Sequence, residues 1–358
     1  VFLAFREKRL LGALLTAFFL SLAIRANHIQ ILYYALIVLN FFAIAEFVFS
    51  IQESKLPGFF KSVGVLVVAA VIAIGMNATS LLTTYEYSQY TMRGKSNGLT
   101  ADTHSSQHGL NKEYIPQWRY GVDETLTLLI PDFKGGASVG ALSLKSETAK
   151  HLKNLGVGES QIKEIVSQMP LYWGTQPGTS GPVYFGAIVI FLFVLSLFIV
   201  DKKVKWWLVP MIILTVMLSW GKNFMPLTDF FIDYVPMYNK FRAPSSILVV
   251  VEFLFPLIAI LGLYQFFTSE KLTEEHKKKT LLYVSGTVLG ITLILTLFGK
   301  GILGFYTANE KTYLPPYILD YLVDERYKMF QSDAIKAFLY VLITAAALFF
   351  ALKKKINI

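Results

Sequence analysis

Residues 29–50 read IQILYYALIVLNFFAIAEFVFS, and Glu46 is the single formal charge in this run. A helix needs about 20 consecutive apolar residues to cross the hydrocarbon core of a bilayer. The run therefore predicts a membrane-spanning helix. Residues 281–304 form a second clear run of this kind.

Composition extends this prediction to most of the chain. Hydrophobic residues make up 54% of the 358 residues and charged residues 16%, which leaves more apolar surface than a soluble protein can bury. We therefore predict an all-α integral membrane protein with about eight transmembrane helices. The predicted spans are residues 10–26, 29–50, 62–79, 183–200, 206–221, 245–267, 281–304 and 334–352.

Basic residues are concentrated in every second short connection between these spans. Together with the two chain ends, these connections carry 15 basic and six acidic residues, and their balance of +9 equals that of the whole chain, with 33 basic and 24 acidic residues. The positive-inside rule places such segments in the cytoplasm. We predict that both chain ends are cytoplasmic. The basic character is then a topology signal, and no nucleic-acid partner is expected.

This topology divides the chain into three regions. Residues 1–79 contain the first three predicted transmembrane helices, and residues 80–182 form one long extracytoplasmic loop domain. Residues 183–358 contain five further helices with two shorter outer loops, near residues 222–244 and 305–333. The long loop is the most soluble-looking stretch of the chain.

Two short amphipathic helices are predicted within the long loop, over residues 144–169. Gly156 and Gly158 separate them. Helical periodicity predicts one apolar face for the pair. Its members are Leu152, Leu155, Ile162, Ile165 and Val166.

A group of cations precedes one predicted span on the outer side. The stretch PMYNKFRAPSS at residues 236–246 contains Lys240 and Arg242, and Pro244 is typical of a first helical turn. The N-terminus of a helix carries a partial positive charge and free N–H groups, so this arrangement suits a phosphate or another anion. Lys222, at the end of the preceding span, could join the site. The alternative is that these cations extend to lipid phosphates, as interfacial cations commonly do.

Carboxylates are the candidates for a general base. Each carboxylate of a loop could equally be an ordinary acid that faces solvent. Acids within a predicted span are costly and therefore functional candidates. The loop acids are Glu86, Asp123, Glu124 and Asp132, and the span acids are Glu46 and Glu252.

Metal and cofactor chemistry finds little support. Asp102, His104 and His108 have spacing that a helix could bring together, but their Ser- and Gly-rich surroundings favour a loop, and the set is too small for a closed site. The chain has no cysteine, and it lacks a Walker loop, a GxSxG elbow and an HExxH motif. We predict no metal and no cofactor.

Aromatic side chains are frequent near the predicted outer interface, and Trp173 is one of them. Belts of Trp and Tyr are normal at this depth. Sugars also stack on such rings, so Trp173 is a candidate substrate-binding residue.

Five sequence strings occur in order along the chain. Together they resemble the YfhO family of bacterial multi-spanning membrane proteins, over residues 9–265. The strings are TTYEY (83–87) with RG (93–94), YGVDETLTLLIPDF (120–133) with GG (135–136), YWGTQPGTSGP (172–182), LSWGKN (218–223) and YNKFRAP (238–244).

This resemblance implies a GT-C-type glycosyltransferase in the bacterial cytoplasmic membrane. Such an enzyme takes a sugar from a polyprenyl-phosphate carrier on the outer face and passes it to an envelope polymer or glycolipid. The resemblance makes Glu86 and Glu124 polar site residues, and Arg93, Lys222 and Arg242 candidates for the carrier phosphate. The catalytic base of such enzymes follows the first span, which we expect to lie before Val1. A fragment without it would be inactive.

Two other functions share these features. A transporter or flippase would need polar residues along a path through the bilayer and broken helices at corresponding positions. A non-catalytic subunit for envelope assembly would share the topology but would lack an assembled pocket.

Overall fold

The computed structural model describes residues 1–6, 8–91, 94, 105–106 and 109–353. Secondary structure in this part of the chain is helical apart from one antiparallel pair of two-residue strands. The helices are α1 (Arg9–Arg25), α2 (Ile29–Gln52), α3 (Leu56–Met76), α4 (Ala78–Ser88), α5 (Glu147–Asn154), α6 (Glu159–Ser167), α7 (Ala187–Ile199), α8 (Lys202–Ser219), α9 (Met225–Tyr234), α10 (Leu248–Thr268), α11 (Glu274–Ile302), α12 (Glu310–Tyr313) and α13 (Pro316–Leu352), and the strands are β1 (Ser105–Ser106) and β2 (Gly109–Leu110).

Among the described residues, five helices are long and apolar enough to cross a membrane. They are α2, α3, α10 with the turn that precedes it, α11 and α13. A sixth span is possible if α8 and α9, which meet at a bend of 117°, are counted together. The helices at two other predicted spans are shorter than these five: α1 has 17 residues and α7 has 13. The chain is an all-α, multi-pass membrane protein.

Helix α13 begins much earlier than predicted. The sequence placed residues 305–333 in a loop and started the last span at 334, whereas the helix runs from Pro316 for 37 residues. At about 1.5 Å per residue it is roughly 55 Å long, nearly twice the thickness of a bilayer core. Its first part contains several charged residues, and the helix continues through them. The predicted loop 222–244 is likewise interrupted by a helix, α9.

The chain forms two compact units, each built from separate stretches of sequence. Unit 1 comprises Val1–Gln117 and Lys202–Val251, and unit 2 comprises Trp118–Asp201 and Glu252–Ile358. The division predicted from sequence follows membrane topology, which is a different criterion, and it stays a prediction.

Small residues allow close helix packing in unit 1. Helix α1 packs along α3, where Ala13, Ala17 and Ala69 are buried against one another. Gly12 allows the preceding turn to approach, since an added Cβ would lie 2.4 Å from the Ala4 nitrogen. Helix α2 packs against both α3 and α8.

Unit 2 is organised around α7, α11 and α13, which pack against one another. Large apolar side chains from these helices form its core, including Phe191, Val288 and Phe330. Trp173 and Phe133, from the segment that precedes α7, are buried in the same core.

The two amphipathic helices of the long loop are confirmed as α5 and α6. Leu152, Ile162 and Val166 are buried in one apolar cluster, as predicted. Leu155 and Ile165, which were predicted on the same apolar face, are 57% and 43% exposed. Helix α5 also packs on α13.

Candidate functional site

Arg242 lies two residues before the membrane-spanning helix that begins at Pro244. The predicted helix start is confirmed, with the proline in the first turn. Ala243 has a left-handed backbone with a φ of 57°, and its N–H donates to the Ile115 carbonyl at 3.2 Å. The chain therefore makes a fixed turn between Arg242 and the helix.

The side chain of Arg242 is held by a tyrosine. Its Nη1 donates a hydrogen bond to the Tyr114 hydroxyl, and its guanidinium carbon lies 5.6 Å from the centre of the same ring. Tyr114 is 8% exposed, while Arg242 is an exposed residue. An anchored cation thus lies at the surface beside the start of a helix.

A glutamine from α2 fixes the same turn from another direction. The Gln30 amide nitrogen lies 2.7 Å from the Arg242 carbonyl oxygen and 3.0 Å from the Ser246 hydroxyl. It also donates to the Tyr34 hydroxyl at 2.7 Å. The backbone before the helix is therefore tied to α2 as well as to the Ile115 segment.

The other sequence-predicted residues of unit 1 lie on separate elements. Lys240 is half-buried in a 3₁₀ turn, and Lys222 is exposed in the turn between α8 and α9. Both turns pack against α9. Glu86 is exposed on α4 and forms no ion pair with any described residue. Arg93 lies outside the described residues.

Glu124 belongs to a buried polar cluster in unit 2, which we call the Glu124 cluster. Its members are Glu124, Lys134, Tyr172, Trp173 and Gln176. The carboxylate accepts hydrogen bonds from the Tyr172 hydroxyl at 2.8 Å, the Gln176 amide at 3.2 Å and the Gly121 backbone N–H at 2.9 Å. Glu124 itself is 3% exposed.

Burial raises the pKa of the Glu124 carboxyl, although the hydrogen bonds from Gly121, Tyr172 and Gln176 and the nearby charge of Lys134 oppose this shift. A general base must reach the proton that it removes. Glu124 is enclosed and already accepts three hydrogen bonds. This arrangement favours a role in fixing the loop, and Glu124 as a catalytic base stays a prediction.

Trp173 lies within the same cluster and is 6% exposed. The Lys134 ammonium is 3.7 Å from the centre of its ring, and the Phe305 ring centre is 5.1 Å away. Lys134 also forms an ion pair with Asp123 at 2.6 Å. The sequence candidates Glu124 and Trp173 are thus brought together, but the buried ring is packed in the core and favours a structural role.

A glycine allows the Tyr172 segment to approach closely. Gly135 has a φ of 79°, and an added Cβ would lie 2.1 Å from the Leu171 carbonyl oxygen. Backbone bonds on either side join Trp173 N–H to the Lys134 carbonyl at 2.9 Å and Tyr172 N–H to the Ala137 carbonyl at 3.2 Å. Gly135, the first glycine of the pair in the sequence strings, therefore allows the backbone contacts that position Tyr172.

Asp132 forms a carboxyl pair with Asp333 of α13. Burial, the charge of Asp333 and a hydrogen bond between the two carboxyl groups raise the pKa of Asp132 to about 6, and Lys336 opposes the shift. Lys336 also forms an ion pair with Asp333 at 2.8 Å. Perturbed carboxyl groups are common at functional sites, but structural networks also produce them. Sequence reasoning named Asp132 without its partner.

Arg326 is a buried charge that sequence reasoning missed. It is fully buried on α13 and contacts both carboxylate oxygens of Glu310, at 2.5 and 3.0 Å. It also donates to the backbone carbonyls of Pro170, Leu171 and Phe305, at 2.6, 3.1 and 2.8 Å. This side chain therefore ties α12 and α13 to the segment that carries Tyr172.

The two acids within predicted spans have different surroundings. The Glu46 carboxylate is 3.2 Å from the Arg6 guanidinium, and its side chain is 14% exposed. Glu252 is exposed on α10 and forms no ion pair with any described side chain.

Metal binding gains no support from the described part of the chain, where no group of three or more His, Asp or Glu side chains could hold an ion. The sequence candidates His104 and His108 lie outside the described residues.

Comparison with known proteins finds no relative: no protein-family model, no curated protein and no solved structure matches the chain. The resemblance to the YfhO family therefore rests on the five strings and stays a prediction.

Proposed function

We propose that the protein is a membrane glycosyltransferase of the GT-C type, which handles a polyprenyl-phosphate-linked sugar and an envelope polymer or glycolipid acceptor. The observation that carries this proposal is Arg242, an exposed guanidinium anchored by Tyr114 beside the start of a membrane-spanning helix. The multi-pass architecture and the five sequence strings support it.

The chemistry of the carrier explains why this arrangement matters. A lipid phosphate carries negative charge at the membrane surface and must be held while the sugar is transferred. Arginine presents five N–H donors in a planar fork that matches phosphate oxygens. The partial positive charge at a helix N-terminus adds to this attraction. Lys222 and Lys240, on turns of the same unit, are the further cations that we assign to phosphate binding.

The proposal includes an orientation. We place the protein in the bacterial cytoplasmic membrane with both chain ends in the cytoplasm, because the basic connections require that side. Eight spans are obtained when α1, α7 and the bent pair α8 and α9 are counted with the five longer helices. The Arg242 turn then faces outward, where a lipid-linked sugar is available.

Binding of undecaprenyl phosphate to the purified full-length protein tests the proposal. Arg242→Ala should weaken binding by about 10- to 100-fold, since a hydrogen bond to a charged group contributes about 1.5–3 kcal/mol. Arg242→Lys should recover part of the affinity, because a point charge replaces a two-pronged donor. Undecaprenol, which lacks the phosphate, should bind the parent and Arg242→Ala proteins equally.

The matched control is Lys112→Ala. Lys112 is a cation two residues before Tyr114, and it forms ion pairs with Asp233 at 2.7 Å and Asp229 at 3.7 Å. Loss of the Lys112 side chain should change the affinity for undecaprenyl phosphate by less than about twofold, because exposed ion pairs such as these contribute little free energy. Unchanged affinity in a monodisperse Arg242→Ala protein would leave lipid contact as the better account of this arginine.

Transport is less well supported. Transporter sites are formed by broken helices at corresponding positions in two halves of the chain. Among the described residues one helix pair, α8 with α9, is sharply bent at a short break, and Lys222 lies at that break. Without a second such pair, the described helices offer no repeat of this kind.

A further inference from the structure

A cavity of about 820 Å³ lies within unit 1, away from the Arg242 turn. Its walls come from the end of α2 and the starts of α1, α3 and α8, together with the turn that precedes α1. This volume is within the range of about 300–1,000 Å³ that is typical of small-molecule sites.

Basic side chains dominate the charges of the lining. Among the described residues of the lining, five cations and two carboxylates leave an excess of three positive charges. The cations are Arg6, Lys8, Arg9, Lys55 and Lys203, and the carboxylates are Glu46 and Glu53.

The two carboxylates are already engaged. Glu46 accepts from Arg6, and Glu53 forms ion pairs with both Lys55 and Lys203. Hydrogen bonds from these two lysines lower the pKa of Glu53 to about 2. Two further cations of the lining, at positions 8 and 9, pair with no described carboxylate. An anion from outside the chain would balance them.

Helix ends add to the positive potential. Three helices begin at this cavity, and the N-terminus of each carries a partial positive charge. None of the three has an acidic residue in its first turn, and no side chain caps α1 or α3. The Arg9 Nε donates to the Ser62 hydroxyl at 3.3 Å, and that hydroxyl donates to the Ala4 carbonyl at 2.6 Å. Ser62 is 2% exposed, so a buried polar side chain orients one cation of the cavity.

Aromatic rings form the remaining wall. Phe42 lies against the rings of Phe5 and Trp207, with ring centres 5.5 and 5.4 Å apart, and Phe59 packs on Phe5 at 5.6 Å. The cavity therefore joins a cationic part to an apolar part. A soluble phosphate would satisfy the first but would leave the second exposed.

We propose that this cavity binds one anionic phospholipid, with the phosphate near Lys8 and Arg9 and the beginning of the acyl chains against Phe42 and Trp207. The site does not depend on the proposed transferase function. It differs from a general basic membrane surface, because it has a defined volume, an oriented arginine and an aromatic wall.

Lipid binding to the purified full-length protein, measured by native mass spectrometry, tests this proposal. Phosphatidylglycerol should bind with one tight site, and phosphatidylcholine with the same acyl chains should not occupy it. The double variant Lys8→Gln with Arg9→Gln should lower the affinity for phosphatidylglycerol about tenfold or more. The matched control is Lys271→Gln with Lys278→Gln, which removes two exposed cations outside the cavity and should change affinity less than about twofold.

A second variant tests the cavity without changing charge. Ser50→Phe places a ring into the space that Ser50 lines and should abolish the tight site in a protein that remains monodisperse. Retained tight binding in this variant would overturn the proposal. Equal losses of phosphatidylglycerol affinity in the two double variants would show diffuse charge attraction. Competition by sn-glycerol 3-phosphate that equals competition by the lipid would show a soluble ligand. Either result refutes the lipid site. The Lys8 and Arg9 double variant should bind undecaprenyl phosphate as the parent protein does. Failure of the phospholipid site can therefore be distinguished from failure of the transferase proposal.

Discussion

Removal of the Arg326 side-chain charge should destabilise unit 2 strongly. Arg326→Met keeps a long apolar side chain but leaves the buried carboxylate of Glu310 without its ion-pair partner, together with the carbonyls of Pro170, Leu171 and Phe305. Loss of one partner from a buried ion pair costs about 3–5 kcal/mol. An exposed pair between α11 and α13 offers a comparison within the same unit. Lys300→Met breaks the Lys300–Asp324 contact of 2.7 Å, where about 0.2–1 kcal/mol is expected.

Thermal unfolding of the purified protein in detergent, followed by tryptophan fluorescence, measures both effects. A change of 1 kcal/mol shifts Tm by about 2–4 °C for a domain of 150–250 residues. Arg326→Met should therefore lower Tm by roughly 6–20 °C, and Lys300→Met by at most about 4 °C. Equal shifts would refute the conclusion that the Arg326 network holds the Tyr172 segment to α13.

The same pair predicts a pH dependence. Burial alone would raise the pKa of Glu310, but hydrogen bonds from Arg326 and from the Thr307 N–H outweigh burial, and the pKa lies below its usual value. A carboxyl group with a lowered folded-state pKa stabilises the fold fully above the unfolded value of 4.5. This contribution is lost as the pH falls through the lower folded-state value. Arg326→Met should therefore lose less of its stability between pH 5 and pH 3 than the parent protein, which parallel Tm series would show.

Three further predictions concern unit 2. Tyr172→Phe removes one donor to Glu124 and should lower the free energy of unfolding by about 1–3 kcal/mol, measured by chemical denaturation; an unchanged value would contradict the hydrogen bond. Asp132 has a raised pKa of about 6, so its contribution to stability is present below its unfolded value of 3.8 and is lost as the pH rises through 6. Asp132→Asn should therefore raise Tm at pH 8 but not at pH 4, and equal effects at both values would exclude the shift. Gly135→Ala should destabilise the protein by more than Gly156→Ala, because both have positive φ but an added Cβ meets backbone only at Gly135; similar Tm losses would count against the close approach.

The spans were predictable because apolar length is a local property of sequence. Residues 29–50 were predicted as a span and form α2, which continues to Gln52. The start of the span at residues 244–268 was equally local, since Pro244 fixes the backbone of its first turn. By contrast, α7 is apolar but shorter than the predicted span 183–200, because it begins only at Ala187, after Gly186 with a φ of 103°. Helix α1 has 17 residues, as many as its predicted span.

The early start of α13 was missed although the sequence contains a signal for it. Leu319, Leu322, Arg326, Phe330 and Ala334 recur every three or four residues and are all buried. Four of these five positions lie in the predicted outer loop 305–333. An arginine on the apolar stripe of a helical pattern instead indicates a buried ion pair, and the acidic partner could not be chosen from sequence because several acids lie nearby.

The surroundings of Glu124 could not be predicted from the sequence at all. Asp123 and Glu124 are neighbours of the same chemical type, yet the Asp123 side chain is 56% exposed and Glu124 is 3% exposed. The difference depends on Tyr172 and Gln176, which lie about 50 residues further along the chain. Only the packing of distant segments decides which of two adjacent carboxylates becomes buried.

Two arginines show how burial separates structural from functional charge. Arg326 is fully buried, and its hydrogen bonds go to one carboxylate and to backbone carbonyls of its own unit. A ligand could reach it only if this network opened, at the cost of a buried, unpaired carboxylate. Arg242 is oriented by a buried tyrosine but remains exposed beside a helix start. A binding cation must be both oriented and accessible, and Arg242 meets both conditions, which is why the proposed phosphate site is centred on it.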